Sequence, residues 1–381
     1  MTKINIFNTL IKRNRNNYLP DEQWIKEKDH KSIVIHHYCP RTFNAGDHFV
    51  VLSIRKHISR LLPNAVFVPK AVAYNRGWGK PIGLNGENIR ISNEYADAVI
   101  IGGSDQYYKW SPRILAGEIE NLIPPLFLIG LGASSKDLDS LPFLGNDTYR
   151  KDILAVNQKS RLSSVRDIRT REFLENLGYM DSIVTGCPAL YLFDENLHVN
   201  LQSKNILLTF PYPVIRKKTQ ENKYQILIKL VKNIIPFISA SGFDPIIVCH
   251  DDRDVPAAQK LFPDQLIFFS NYTHDYFQLY KNAKMVIGSR LHATILALSQ
   301  GTPAININLD IRGQGFSETF GLTKWNINYT ENDIEERLVS NINQLLSGNL
   351  SDFINFQKER DHHHQIFLKF IKETVKIILN N

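Results

Sequence analysis

Residues 285–301, MVIGSRLHATILALSQG, decide the fold of the carboxyl-terminal half of this chain. The apolar run 285–287 is typical of a buried strand, and the residues from Arg290 onward are predicted to form a helix that ends at Gly301. Arg290 and His292 are therefore predicted at a helix N-terminus, next to the carboxyl end of a parallel strand. Free backbone N–H groups and the positive end of the helix dipole favour an anion there.

The same segment also has a purely structural interpretation. Arg290 could pair with a structural carboxylate, and His292 could simply fill the start of the helix. The segment alone leaves both interpretations open.

Strands and helices alternate on both sides of this segment. The polar stretch 194–204, DENLHVNLQSK, interrupts the alternation and is predicted to separate two domains. The pattern predicts an α/β protein with two Rossmann-like, doubly wound parallel sheets that face a cleft. The expected division is an N-terminal extension (1–30), a first Rossmann-like domain (31–195), a second (204–348), and a C-terminal helix (352–381) that packs back on the first domain. Strands are predicted at 32–38, 65–69, 98–102, 126–130, 163–166, 183–185, 206–210, 246–249, 266–269, 285–287 and 304–307.

Composition narrows the classes of function. The chain has 381 residues, 43% of them hydrophobic and 22% charged, with a formal net charge of +7. The basic residues are dispersed, which argues against a nucleic-acid surface. Three widely spaced cysteines, with no signal peptide or apolar span of membrane length, lead us to expect a cytoplasmic protein. Lys12, Arg13 and Arg15 would suit peripheral association with the inner face of an anionic membrane.

Several loops at predicted strand ends carry polar residues that could bind a substrate. The sharpest is Ser164–Asp167, where Asp167 could orient Arg166 toward a ligand; a buried structural Arg–Asp pair is the alternative. In the Gly-Asp loop Asp47 could cap the following helix or bind a hydroxyl, and the loop at Gly102 could be no more than a tight turn. The substrate-binding candidates are Asn44, Gly46, Asp47, Gly103, Ser104, Asp105, Gln106, His250, Ser289 and Arg312.

A run of three histidines, His362 to His364, lies on the predicted last helix. Successive helical residues point about 100° apart, so these side chains cannot share one metal ion. We expect a solvated helix face there, and no metal site elsewhere.

Taken together, the loops resemble the polysaccharide pyruvyl transferase family. The similarity extends over roughly residues 33–325, and its order and spacing are more specific than any single piece. The matching pieces are NAGD (44–47), GGSDQ with Trp110 (102–110), GLG (130–132), SVRD with Thr170 (164–170), TGCPAL (185–190), GSRLHATILALSQGTPAI (288–305) and the segment with FGL (315–322).

The resemblance implies a fold similar to GT-B glycosyltransferases. It also implies transfer of a pyruvyl group from phosphoenolpyruvate to two hydroxyls of a sugar in a surface polysaccharide or its precursor, giving a cyclic ketal and phosphate. Arg166 and Arg290 would hold the donor's phosphate and carboxylate, and His292 would be the catalytic histidine. Arg312 stands where a lysine is common in the family. The implied partners are phosphoenolpyruvate and a saccharide acceptor, free or lipid-linked, with no cofactor.

Asp105 and Asp167 are candidates for stabilising positive charge that develops on the central carbon. Two other classes of function stay open: a GT-B glycosyltransferase that uses a nucleotide-sugar donor, and a non-catalytic protein that binds sugars or anions.

Overall fold

The computed structural model describes residues 32–40, 44–72, 83–103, 105–107, 116–135, 147–193, 195–210 and 218–381; at 105–106, 116–117, 147–148 and 218–221 it describes only the backbone. The first half forms a parallel sheet of seven strands in the order β2-β1-β3-β5-β6-β7, with β4 paired to β5. Its strands are β1 (Ile33–Cys39), β2 (Ala65–Ala71), β3 (Ala98–Gly102), β4 (Asp105–Tyr107), β5 (Leu126–Ala133), β6 (Leu162–Val165) and β7 (Ile183–Val184).

Among the described residues, five α-helices and a 3-10 turn accompany this sheet. They are α1 (Ala45–Leu61), α2 (Gly86–Tyr95), α3 (Ala116–Ile119), α4 (Asp147–Lys159) and α5 (Ile168–Asn176), followed by the 3-10 turn Pro188–Tyr191.

The second half forms a six-stranded parallel sheet in the order β10-β9-β8-β11-β12-β13. Its strands are β8 (Asn205–Thr209), β9 (Asp244–Val248), β10 (Leu266–Phe268), β11 (Met285–Gly288), β12 (Ala304–Asn308) and β13 (Asn326–Asn328). Its helices are α6 (Lys218–Ala240), α7 (Val255–Leu261), α8 (Thr273–Lys281), α9 (Leu291–Ser299), α10 (Ile311–Thr319) and α11 (Ile334–Leu346), with 3-10 turns at Asp252–Asp254, Thr323–Trp325 and Ser351–Phe353.

Buried central strands explain why the sequence reveals this architecture. Strands β3, β5, β11 and β12 are buried at every position. Strands that are covered on both faces appear in the sequence as continuous apolar runs rather than as alternating patterns. The predicted class, two doubly wound α/β sheets, is confirmed.

The strand order in each sheet reverses direction at one place, and ligands of such sheets bind outside the strand ends there. The reversal lies between β1 and β3 in the first sheet and between β8 and β11 in the second. The chain leaves β1 for α1 and β11 for α9, so these two helix N-termini flank the two reversal points.

The two halves share one apolar core, which includes Ile35 and Phe49 from the first half and Ile206 and Met285 from the second. Helix α1 packs against α8 and α9, and α5 packs against α10. The last helix, α12 (Ile354–Leu379), crosses back and packs on α1, as the sequence predicts.

Three local expectations are wrong. Asn44, not Asp47, caps α1, because its side chain accepts the N–H of Gly46 at 3.0 Å. The strand predicted at 126–130 is too short, because β5 continues through the GLG segment 130–132 to Ala133. The helix face predicted to be solvated is instead packed at His363 and His364. The ring of Tyr191 stacks on that of His364 with 4.6 Å between the ring centroids, and His363 packs edge-on against Phe320.

Three elements beyond β12, namely α10, β13 and α11, have no counterpart in the sequence prediction.

Candidate functional site

A small cavity of about 80 Å³ lies where the carboxyl ends of the two sheets meet. Both halves of the chain contribute side chains to it. Its lining residues are Asn44, Arg166, His250, Ser289, Arg290, Leu291, His292 and Arg312. Seven of the sequence-predicted site residues therefore surround one space, although they are distributed over 269 positions, from residue 44 to residue 312.

The turn from β11 into α9 places Arg290 at the cavity. Gly288 is required in this turn because a Cβ there would lie 2.1 Å from the carbonyl oxygen of Thr209 on β8. Arg290 is the N-cap residue of α9, with an extended backbone. The N-terminus of α9 therefore faces the cavity, and it can offer backbone N–H groups to an anion.

Arg290 fits both interpretations that the sequence left open. Its guanidinium forms an ion pair with the buried carboxylate of Asp254, and its side chain remains 16% exposed toward the cavity. Nε of Arg290 and the hydroxyl of Ser289 are buried, and neither has a hydrogen-bond partner among the described residues. Buried polar groups of this kind are usually satisfied by a ligand or ordered water.

Arg166 reaches the same cavity from the first half. Its side chain is 1% exposed; Nε donates to Asp167 at 2.9 Å and an Nη donates to the carbonyl of Ala133 at 3.2 Å. Asp167 also caps α5 by accepting the N–H of Thr170 at 2.8 Å. A Cβ at Gly132 would lie 2.4 Å from Cζ of Arg166, so the second glycine of GLG makes room for the guanidinium.

His292 is placed by a contact between the two halves. Its Nδ1 lies 3.7 Å from Oδ1 of Asp47 on α1. The backbones meet closely here, since a Cβ at Gly46 would lie 2.7 Å from Cβ of His292. Gly46 and Asp47 thus hold His292 from the side and are not among the residues that line the cavity.

His250 is fully buried beneath the cavity. Its Nε2 lies 2.8 Å from the hydroxyl of Tyr280, and its carbonyl accepts the N–H of Ala45 in the other half at 2.8 Å. Burial, reinforced by the nearby Arg290 and His292, lowers the pKa of His250 well below its usual range. A neutral His250 is therefore suited to hydrogen bonding rather than to neutralising an anion.

Arg312 lines the cavity from the start of α10. Asp310, which caps α10, accepts the backbone N–H of Arg312 at 3.0 Å and its Nε at 2.8 Å. Asp251 and Arg253 repeat this arrangement at the end of β9, but Arg253 points to solvent. The cavity arginines 166, 290 and 312 are each held by an aspartate, which fixes them before any ligand arrives.

The loop after β3 contributes less than the sequence predicts. Gly103 lies against Pro40 and Val51, not at the cavity. Asp105 and Gln106 form strand β4, and only their backbone is described. Ser104, Trp110 and the extension 1–30 lie outside the described residues.

Two carboxylates that organise the site, Asp254 and Asp310, are not among the sequence-predicted site residues. Asp254 belongs to the segment 251–254, which contains three aspartates and Arg253, and Asp310 lies two residues after β12. Aspartate at a strand-to-helix turn is a recognisable capping signal. Asp310 holds Arg312 within the same turn, whereas the pairing of Asp254 with Arg290 depends on packing that no local pattern encodes.

The described residues contain neither a candidate metal site nor a candidate membrane-spanning helix. They hold no group of three histidine, cysteine or acidic side chains arranged to bind a metal ion. None of their helices combines the length and apolarity needed to cross a bilayer.

Comparisons with known proteins agree on family and fold. The family model described as "Polysaccharide pyruvyl transferase" matches residues 44–311, well over half of the chain. No curated protein matches the chain.

Solved structures similar to this chain are two-domain enzymes with the GT-B fold. One is the UDP-GlcNAc 2-epimerase from Neisseria meningitidis bound to UDP-GlcNAc, with 13% identity, a TM-score of 0.55, and coverage of 92% of this chain and 99% of that one. Another is the Methanocaldococcus jannaschii UDP-GlcNAc 2-epimerase, solved with UDP-GlcNAc and UDP, with 14% identity, a TM-score of 0.52, and coverage of 88% and 99%. At this identity the likeness establishes the fold alone.

Proposed function

The chain belongs to the polysaccharide pyruvyl transferase family, and we propose that it moves the pyruvyl group of phosphoenolpyruvate onto two hydroxyls of a sugar. The products are a cyclic ketal and phosphate. The observation that carries the proposal is that Arg166 and Arg290, from opposite halves of the fold, line one cavity together with His292.

The cavity suits a compact donor with two anionic groups. Guanidinium groups bind carboxylate and phosphate through paired N–H donors, and two of them can hold both ends of phosphoenolpyruvate. Arg312 and the N-terminus of α9 add further positive potential. A volume of about 80 Å³ is far below the ~300–1,000 Å³ of pockets for drug-sized ligands, which favours this donor over a nucleotide sugar.

His292 is the group in the cavity best suited to move a proton. Ketal formation requires one hydroxyl proton to end on the methylene carbon, which becomes a methyl group, and the other to leave with the phosphate. A histidine can accept the first proton and deliver it, because its ordinary pKa lies near neutrality. Asp47, 3.7 Å from Nδ1, orients the ring. Catalysis by His292 then requires both halves of the protein.

Positive charge that develops on the central carbon needs a nearby carboxylate. Asp167, which is buried beside the cavity residue Arg166 but is not itself in the cavity lining, takes this role in the proposed mechanism. Its contact with Arg166 limits its freedom, so its effect is electrostatic rather than nucleophilic.

The decisive experiment measures phosphate release from phosphoenolpyruvate with and without saccharide acceptors. Arg290→Ala and His292→Ala should abolish release, whereas Arg253→Ala should leave it unchanged. Arg253 is a matched control because it also sits two residues after a capping aspartate, yet it is exposed and does not line the cavity. Full activity in both cavity variants would contradict the site assignment.

The glycosyltransferase alternative has its own readout. A rise in melting temperature with UDP but none with phosphoenolpyruvate would favour a nucleotide-sugar donor. Binding of either ligand without turnover on any acceptor would instead favour a non-catalytic protein.

The proposed acceptor is a surface polysaccharide precursor, free or lipid-linked, in the cytoplasm. Contact with the inner face of the membrane is part of the same proposal. Co-sedimentation with anionic vesicles before and after deletion of residues 1–30 tests that part separately.

A further inference from the structure

A second, larger cleft of about 530 Å³ lies along helix α1, whose cap residue lines the donor cavity, and we call it the outer cleft. One wall is the end of β1 and one face of α1, and the opposite wall is the segment that opens α8. The described residues that line it are Cys39, Pro40, His48, Val51, Leu52, Arg55, Pro69, Asn271, Tyr272, Thr273 and His274. Both halves of the fold therefore contribute to it.

Helix α1 connects the outer cleft to the donor cavity. Its cap, Asn44, lines the cavity, and Asp47 contacts His292. The next residue, His48, lines the outer cleft, followed on the same helical face by positions 51, 52 and 55. At a rise of about 1.5 Å per residue, the wall along α1 extends about 16 Å from Asn44 at the cavity to Arg55. A ligand that lies along the wall can therefore direct one end toward His292.

The location also satisfies the rule for doubly wound sheets. Cys39 and Pro40 stand at the carboxyl end of β1, next to the point where the strand order of the first sheet reverses. Ligands of such sheets bind in the crevice outside that point. The donor cavity meets the reversal point of the second sheet, so each sheet presents its own binding crevice to the same interface.

The lining of the outer cleft combines an aromatic surface with dispersed polar groups. Tyr272 is 75% exposed, so its ring is accessible to a ligand in the cleft. Asn271, Thr273 and His274 flank it with hydrogen-bonding groups. None of the described lining residues is acidic, which disfavours a cationic ligand.

Arg55 supplies a fixed cation on the opposite wall. Its Nε donates to Nδ1 of His37 at 3.3 Å, and its guanidinium lies 5.6 Å from the ring centroid of Phe67. A fixed cation and the polar residues suit hydroxyl-rich, neutral or anionic ligands. The exposed ring and the apolar side chains of Val51 and Leu52 suit the apolar face of a sugar.

We infer that the outer cleft binds the acceptor saccharide, with a sugar ring against Tyr272 and the reacting diol directed toward His292. The inference rests on the proposed function, because it assigns the second substrate of the same reaction. The volume of the cleft lies within the ~300–1,000 Å³ of typical ligand pockets, so the expected ligand is a saccharide of more than one sugar unit.

Tyr272→Ala tests the inference, and Tyr95→Ala is the matched control. Tyr95 is 60% exposed on α2 and lines neither cavity. With an active acceptor, Tyr272→Ala should raise the KM for the acceptor about 10-fold, which corresponds to the loss of one good ring contact. The KM for phosphoenolpyruvate should change less than 2-fold (roughly within 0.4 kcal/mol), and Tyr95→Ala should behave as wild type.

An immobilised glycan array distinguishes this inference from the proposed function. Wild type and Tyr95→Ala should retain the same glycans, and Tyr272→Ala should lose them. Retention by all three proteins, or no glycan bound by wild type, would overturn the inference. Failure of phosphoenolpyruvate-dependent phosphate release would refute the pyruvyl transfer alone, because glycan retention requires no donor.

Discussion

Replacing Gly46 by alanine puts a methyl group where the two halves of the protein meet. The new Cβ would lie 2.7 Å from Cβ of His292, 3.0 Å from its Nδ1 and 3.2 Å from Oδ1 of Asn44. In a helix, alanine is ordinarily favoured over glycine by about 1 kcal/mol. Overpacking of this kind costs about 1–3 kcal/mol, so we expect a net loss of about 0–2 kcal/mol in the free energy of unfolding.

The effect on activity should exceed the effect on stability. His292 must move away from α1 to admit the methyl group, and its contact with Asp47 lengthens. A displacement of about 1 Å in a catalytic group can lower the rate roughly 100-fold. We therefore expect acceptor-dependent phosphate release to fall by about 10- to 100-fold, measured alongside urea unfolding.

Gly86→Ala is the matched control for this change. Gly86 is the first residue of α2, and its Cβ would meet Oε1 of Glu118 at 2.9 Å, the movable end of a flexible side chain. This variant should keep wild-type activity. If Gly46→Ala is as active and as stable as wild type, the close contact between Gly46 and His292 does not position the histidine, and the reasoning is refuted.

Three further changes test other parts of the structure. Arg290→Lys keeps the charge but loses the planar fork, so kcat/KM for phosphoenolpyruvate should fall about 10- to 100-fold; unchanged steady-state kinetics would argue against bidentate binding. Glu318→Gln removes the ion pair between the halves, in which Arg169 Nε lies 2.6 Å from the carboxylate. Because Arg169 is partly exposed, a double-mutant cycle measured by urea unfolding should give a coupling free energy of about 0.2–1 kcal/mol. Zero coupling would show that the pair does not stabilise the interface. Burial lowers the pKa of His37 to about 3 and of His57 to about 4, so below pH 6.5 the unfolded chain binds protons that the folded chain does not. The free energy of unfolding should then decrease as the pH falls below 6.5, by up to about 1.4 kcal/mol per pH unit for each histidine. When this free energy is measured by urea unfolding between pH 7.5 and 5.5, it should depend less steeply on pH in His57→Gln than in wild type. An identical dependence on pH would contradict the assignment.

The sequence predicted the fold class because the signals for it are local. Apolar runs mark strands that are buried on both faces, and the helix that ends at Gly301 is visible from composition and its glycine cap. The elements missed after β12 have weaker signals. Helix α10 contains two glycines, at 313 and 315, and β13 has only three residues.

The candidate site likewise contains residues that local sequence predicts and residues that only distant contacts explain. Arg166 and Arg290 could be placed at strand ends from their immediate neighbours, and both line the cavity. The role of Asp47 could not, because its partner His292 lies 245 positions away in the other half. The glycine at 132 also has no local explanation, since only the guanidinium of Arg166 requires it.

By itself, the sequence determined two parallel sheets, the turns at which they offer anion-binding groups, and the residue types at those turns. Backbone geometry and the burial of apolar side chains act over a few residues, so they leave a readable pattern. Only the tertiary structure decided that Arg166, Arg290 and His292 share one space, that Asp254 holds Arg290, and that α1 borders both cavities. These facts follow from how two separately wound sheets pack on one core, and that packing depends on contacts between residues far apart in the chain.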